Sequence, residues 1–138
     1  MVPPLVEKAL ALAERTGFAR SCSPETGRLL QVLAGARGVE RAAEIGTGTG
    51  VGSAWILSAL DPDVAFVTVE LDENRARDAA ELLADDTAAR VLHGDWREVL
   101  SPEAPFDLLF ADGGRAKAHE EIAGLLSPGG ILVLDDLT

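Results

Sequence analysis

The 138-residue chain has one cysteine, Cys22. It therefore forms no internal disulfide and no thiolate metal cluster, which fits a reducing compartment, and Cys22 is read as an ordinary core or surface thiol. Basic residues are scarce, with 12 Lys and Arg against 23 acids and a net charge of −11. Such a surface repels phosphate backbones on average, which argues against nucleic acid as a partner. No apolar run approaches the ~20 residues of a membrane span, so no membrane contact is expected. The N-terminus, Met1-Val2-Pro3-Pro4-Leu5, joins no basic segment to a long apolar stretch. Without a visible secretory signal, a cytoplasmic protein is expected. Histidine is limited to His93 and His119. A lone histidine is usually structural or exposed, so both are weak base candidates. Linkers, low-complexity segments and repeats are missing too, which leaves one domain over 1–138, with helices in 1–38 and an α/β core in 39–138.

Glycine is plentiful, and one run of it organises the chain: Arg41-Ala42-Ala43-Glu44-Ile45-Gly46-Thr47-Gly48-Thr49-Gly50-Val51-Gly52-Ser53. Ala42, Ala43 and Ile45 suit a buried parallel strand, while Gly46, Gly48 and Gly50 allow a positive φ or the close approach of a ligand. A helix resumes at Val51. The reading is strand, tight turn and helix, with free backbone N–H groups facing whatever sits above the strand. A nucleotide-like ligand is the first expectation, and a glycine-rich turn without a ligand is the plain alternative. A third glycine at dinucleotide-binding spacing is lacking, because Val51 or Ser53 stands where G-x-G-x-x-G needs it. The G-x-G-x-G pattern makes no provision for close helix packing over a pyrophosphate.

Two helices precede this stretch. Pro4–Arg15 carries Leu5, Ala9 and Leu12 on one side and stops at Thr16-Gly17. Ser23 and Pro24 then open a second helix that buries Leu29, Leu30 and Leu33 before Gly35. Beyond Glu40, short apolar runs alternate with helical patterns. Strands are expected at Ala42–Ile45, Ala65–Val69, Val91–His93, Phe106–Ala111 and Ile131–Leu134. Helices are expected at Val51–Leu60, Asp72–Ala84 and Arg115–Leu126, with a turn near Asp95–Leu100. Ser127-Pro128-Gly129-Gly130 reads as a clean break before the last strand. Such alternation gives the α/β class, a doubly wound parallel sheet with helices on both faces.

Acids cluster where these strands end: Glu44, Glu70, Asp95, Asp112 and the pair Asp135-Asp136. Ligands of open α/β sheets bind beyond the carboxyl ends of the strands, so this rim is the candidate site. Glu70 is placed to accept hydrogen bonds from both hydroxyls of a ribose, or is a plain strand-end acid. Asp95-Trp96 offers an acceptor for an exocyclic amine and an indole for stacking on a purine, or else a helix cap beside a packed tryptophan. Asp112, Asp135 and Asp136 suit a hard divalent cation such as Mg²⁺, or are loop and terminal acids.

Five segments stand out together: Glu44-Ile45-Gly46-Thr47-Gly48-Thr49-Gly50, Val67-Thr68-Val69-Glu70-Leu71-Asp72, His93-Gly94-Asp95-Trp96, Phe106-Asp107-Leu108-Leu109-Phe110-Ala111-Asp112, and Leu126 to Asp136. With them the chain resembles the class I S-adenosylmethionine-dependent methyltransferases, and among those the small O-methyltransferases related to catechol O-methyltransferase. The resemblance implies a Rossmann-like sheet in the order 3-2-1-4-5. It implies that Gly46, Gly48 and Gly50 border the methionine part of the cofactor, that Glu70 binds the ribose, and that Asp95 and Trp96 line the adenine pocket. Glu44, Thr47, Leu71, Gly94 and Asp112 complete the implied cofactor set. In metal-dependent members the residues matching Asp112, Asp135 and Asp136 hold the cation. Asp112 and Arg115 are the implied catalytic pair, but Arg115 stands where a lysine base often does, and arginine is effectively never deprotonated. Lys117 is nearby but out of register. The family sheet normally adds a sixth and a seventh strand. This chain lacks them, so a C-terminally truncated core is expected, its fifth-strand edge covered by a second subunit or a further segment.

The reading is therefore an S-adenosylmethionine-dependent methyltransferase acting on a small-molecule hydroxyl, with a divalent cation assisting. One alternative is a methyltransferase-like module that binds the cofactor without turnover. The other, an NAD-dependent oxidoreductase, is disfavoured by the missing third glycine.

Overall fold

A computed structural model describes residues 2–112 and 120–135. Helix α1 (Pro4–Thr16) opens on a proline, whose missing N–H costs nothing there, and ends at Gly17 in the left-handed conformation, φ 71°. Helix α2 (Pro24–Ala34) is capped by Ser23, whose Oγ accepts the Thr26 N–H at 3.2 Å. The strands are β1 (Arg41–Ile45), β2 (Ala65–Glu70), β3 (Ala89–His93), β4 (Phe106–Ala111) and β5 (Leu126–Leu134). Between them lie α3 (Val51–Leu57), α4 (Glu73–Leu82) and the single turn α5 (Trp96–Val99).

All strand pairings are parallel, in the order β3-β2-β1-β4-β5. The doubly wound sheet and its expected order are both present. Alternate residues of β1 feed two cores. On one face Ala42 joins Phe66, Leu108 and Phe110 with Trp55 and Ile56 of α3 and Leu30 of α2. On the other, Ala43 and Ile45 join Val67, Val69, Leu109, Ile122 and Leu125. Burial on both faces explains why β1, β2 and β4 read as continuous apolar runs. Gly27 lets α2 lie against α3, since a side chain there would collide with the Trp55 indole. Asp107 pins the N-terminal ends of the strands: its Oδ2 accepts the N–H groups of Glu40 and Arg41 at 2.8 and 3.1 Å.

Most boundaries lie within two residues of the sequence reading, and the larger differences are in β5, the segment before it and α3. β5 starts at Leu126, not Ile131, and Ser127–Gly130 forms a register shift inside it, with Phe106 opposite Leu126 but Leu108 opposite Ile131. The Ser127 hydroxyl donates to Asp107 Oδ1 at 2.5 Å, and Gly129 takes φ 79°. This irregularity accommodates Pro128, which an edge strand tolerates. Of the helix expected over Arg115–Leu126, the described part, Glu120–Leu125, is a 3-10 helix. Gly124, a poor helix former, and the start of β5 at Leu126 suit this short 3-10 stretch at the end of the segment. Helix α3 stops at Leu57 instead of Leu60, and the Ser58 hydroxyl donates to the Trp55 carbonyl at 2.6 Å. Among the described residues, no helix is long and apolar enough to cross a membrane.

Candidate functional site

A cavity of about 770 Å³ opens beyond the carboxyl ends of β1, β2 and β4, at the crevice where strand order reverses. The glycine turn forms its floor. Gly46, Gly48 and Gly50 have φ of 92°, 57° and 92°, so the conformation itself selects glycine. One expectation needs correcting, because these N–H groups are not left free. Gly46 and Thr47 both donate to the Val69 carbonyl at 2.8 and 3.1 Å, Gly50 donates to Thr47 O at 2.9 Å, and Gly48 donates to Glu70 Oε1 at 2.8 Å. The turn is braced against β2, and Glu70 links it to the cavity.

Glu70 ends β2 with 6% exposure and lines the cavity. Its Oε2 accepts the Asp72 N–H at 2.8 Å, so a backbone donor holds each carboxylate oxygen. Each oxygen keeps a lone pair for a ligand hydroxyl. Glu44 is buried more deeply, at 1% exposure. The hydroxyls of Ser53 and Thr68 donate to its Oε1 at 2.5 and 2.8 Å, and the Thr47 and Thr68 hydroxyls lie 2.7 Å apart. Burial pushes the Glu44 carboxyl up to about 8, against the lowering by those two hydrogen bonds. At neutral pH it is therefore mostly protonated. Gly52 makes room for it, since a Cβ there would collide with Glu44 Oε2 and the Phe110 ring.

On the far side of the cavity, Gly94, Asp95 and Trp96 follow β3. Asp95 acts as the cap of α5, its Oδ1 accepting the Arg97 N–H at 2.9 Å, while it also lines the cavity. The cap and the cavity-lining reading thus coexist. Trp96 is half-buried, with the Arg97 guanidinium 5.7 Å from its ring centroid. Leu71 reaches the rim and is 73% exposed. His93 is exposed, with Nε2 3.1 Å from the Leu71 carbonyl.

Toward β4 and β5, Asp112 lines the cavity and its N–H donates to Ile45 O at 3.0 Å. The Asp135 N–H lies 3.4 Å from Ala111 O. Among the described residues, no three His, Cys, Asp or Glu side chains group closely enough to hold a metal ion. Asp136, the third implied ligand, lies outside the described residues, as do Arg115, Lys117 and His119.

Comparison with known proteins fits this geometry. A family profile described as a methyltransferase domain matches residues 43–137. The chain belongs to the methyltransferase-domain family. It is 32% identical to a candidate O-methyltransferase of Mycobacteroides abscessus over 81% of its own length and 56% of the relative's. Identity to an O-methyltransferase assigned in Mycobacterium tuberculosis is 31%, over 84% of this chain and 56% of that one. Among solved structures, the O-methyltransferase TomG from Streptomyces achromogenes, in complex with S-adenosylmethionine, superposes with a TM-score of 0.84 at 30% identity, covering 99% of this chain and 66% of TomG. The chain thus spans a little over half the length of the curated relatives it matches.

Sequence reasoning missed one wall of this methyltransferase-domain cavity. Phe18, Arg20, Ser21 and Cys22, from the loop between α1 and α2, line it, and so do Arg75 of α4 and Arg97 of α5. The Phe18 ring lies directly on Gly48, where a Cβ would strike it. An aromatic residue between two well-capped helices was the available signal. Cys22 is buried, and burial, with the nearby charges of Glu44, Asp112 and Asp135, pushes its thiol up to about 12. It is a neutral wall residue rather than a nucleophile.

Proposed function

We propose that the chain is the cofactor-binding part of an S-adenosylmethionine-dependent O-methyltransferase that acts on a small-molecule hydroxyl. The observation that carries this reading is the rim carboxylate: Glu70 stands at the crevice, held by the Gly48 and Asp72 N–H groups, with lone pairs left for two ribose hydroxyls. The remaining residues fit the same ligand. A cavity of about 770 Å³ is in the range for a drug-sized molecule. Trp96 offers the face for adenine and Asp95 the acceptor for its amine, with Gly94 and Leu71 bounding that end. Gly46, Thr47, Gly48, Gly50 and Glu44 bound the methionine end.

The bound cofactor supplies an electrophilic methyl group. The chain's contribution is alignment, bringing an acceptor oxygen and that methyl into line and excluding water, which is worth more than any single contact. Asp112 borders the place where the acceptor would lie. Arg115 would serve as a fixed positive charge beside a developing oxyanion, because its guanidinium does not take up a proton from the hydroxyl. Asp112, Asp135 and Asp136 are the proposed ligands of a divalent cation, which would lower the pKa of the acceptor hydroxyl. A second reading, a module that binds the cofactor without turnover, is favoured by Arg115 standing where a lysine base is common.

Calorimetric titration with S-adenosylhomocysteine and with NAD, then with Mg²⁺ and a catechol, tests these readings. Micromolar binding of S-adenosylhomocysteine without NAD binding is the expected result. Tight NAD binding alone would overturn the proposal. Binding without methylation of any hydroxylated acceptor would favour the module.

A further inference from the structure

Arg75 has no part in the roles assigned so far, yet it touches three parts of the site. Its Nε lies 3.5 Å from Glu70 Oε2 and its Nη1 3.6 Å from Asp72 Oδ2. Its guanidinium carbon sits 5.3 Å from the centroid of the Phe18 ring. The Nε is buried and finds no hydrogen-bond partner, although the side chain as a whole is 42% exposed. A buried donor without an acceptor is costly, and an exposed arginine could swing free to avoid it. What keeps the guanidinium in place is the set of contacts around it.

Those contacts close a circuit. Glu70 accepts from the Gly48 N–H, Gly48 carries the Phe18 ring on its bare α-carbon, Phe18 stacks under Arg75, and Arg75 returns to Glu70. Four segments meet there: the α1–α2 loop, the glycine turn, the end of β2 and the first turn of α4. We propose that Arg75 is a positioning residue for the Glu70 carboxylate, tying it to Phe18 so that ribose recognition and the placing of the loop over the glycine turn form one unit. This rests on the reading of Glu70 as the ribose acceptor. The two backbone N–H groups hold the carboxylate oxygens, and the guanidinium, with Nε 3.5 Å from Oε2, offsets the carboxylate's charge at the cavity rim and ties it to the Phe18 ring. Planarity matters here: a guanidinium stacks on an aromatic ring while presenting its edge to a carboxylate, which an ammonium does less well.

The test compares S-adenosylhomocysteine with its 2′-deoxy analogue by calorimetry on the full 138-residue chain. Wild type is expected to prefer the ribose form by about tenfold or more, one charge-assisted hydrogen bond. In Arg75→Met that preference should fall below about threefold, because the ribose form alone loses affinity, while Arg75→Lys should restore part of it. Equal weakening of both ligands by Arg75→Met, with the preference kept at the wild-type ratio, would show a merely structural role and overturn the proposal. So would no change in either. Should Arg75→Met fail to fold, Phe18→Leu keeps the loop's bulk while removing the ring, and should reduce the preference about threefold; an unchanged ratio overturns the proposal. A wild-type chain that binds neither ligand overturns the methyltransferase reading itself, an outcome distinct from equal weakening.

Discussion

The two flanks of β1 are built differently. On the β2 side every residue from Phe66 to Glu70 is buried, and the terminal carboxylate is held at both oxygens. On the β5 side the final strand is half-exposed, with Ile131 at 44%, and the N–H of Asp135 reaches Ala111 O at a long 3.4 Å. On the first flank the turn and its carboxylate are held by residues near them in sequence, from Phe18 to Arg75, and Asp95 and Trp96 join from beyond β3. The second depends on acids delivered from a strand whose register shifts at Ser127–Gly130. The proposed cofactor side is thus preorganised by local contacts, while the proposed acceptor side draws on distant ones. Preorganisation lowers the cost of binding, so substitutions on the β2 flank should disturb cofactor affinity most.

The largest effect is expected at Glu70. Glu70→Ala removes the ribose acceptor and leaves the Gly48 and Asp72 N–H groups without their carboxylate. Hydrogen bonds to a charged group are worth about 1.5–3 kcal/mol each, so losing the two ribose bonds should cost about 3 kcal/mol or more and lower affinity for S-adenosylhomocysteine roughly 100-fold or more. Calorimetry measures this, and a loss below about threefold would remove the distinction between the flanks.

Next comes Glu44, beneath the same flank. Burial raises its carboxyl from the ordinary 4.5 to about 8, so the folded state binds a proton that the unfolded chain releases. Stability should therefore be greatest at low pH for this group, decline as pH rises from about 4.5 to about 8, and level off above. Glutamine mimics the neutral acid and keeps an oxygen to accept from Ser53 and Thr68. Glu44→Gln should thus be more stable than wild type at pH 9 by up to roughly 5 kcal/mol, about 1.4 kcal/mol for each pH unit between the two values, with the difference shrinking toward pH 5. Urea denaturation across that range decides it. A pH-independent difference would mean that Glu44 ionises normally in the fold.

A smaller change is expected at the outer rim. Trp96 is half-buried and already contacts Arg97, so a stacked base gains one more face there. Trp96→Ala should cost about 1 kcal/mol of cofactor affinity, roughly fivefold. Trp96→Phe should recover most of it. Equal losses in both variants would indicate that the indole N–H, not the ring face, is used.

The same contrast between flanks governs what could be read from the chain without a structure. The strands, the strand-end acids and the cap at Ser23 were legible because each follows from local periodicity and capping chemistry, whereas the sheet order was implied only by the family resemblance. The role of the turn was half legible. Glycine spacing gives the positive φ angles, but not the fact that Val69 and Glu70 occupy the N–H groups. Phe18 and Arg75 were illegible as site residues, because they reach the cavity from a loop and a helix whose approach depends on the packing of α1, α3 and β2. Ser127-Pro128-Gly129-Gly130 misled for a different reason. Those residues usually break a strand, yet at a sheet edge with Asp107 as hydrogen-bond partner they form a bulge within it.

The smallest effect on cofactor affinity belongs to the β5 flank. Asp135 is close enough to Cys22 for its charge to help raise the thiol, but it does not line the cavity that would hold the cofactor. Asp135→Ala should therefore change S-adenosylhomocysteine affinity by less than about threefold, within the range of an indirect charge effect. Its consequence should fall instead on methyl transfer, and on any increase in transfer produced by Mg²⁺, because a carboxylate that binds a cation for the acceptor contributes only once the acceptor is present. Measuring affinity and turnover on the same preparation separates the two. If affinity falls as far as in Glu70→Ala, the acids of both flanks serve one ligand, and the division drawn at β1 is wrong. If affinity and Mg²⁺-dependent transfer are both unchanged, Asp135 is a strand-end acid, and the proposed cation site is wrong.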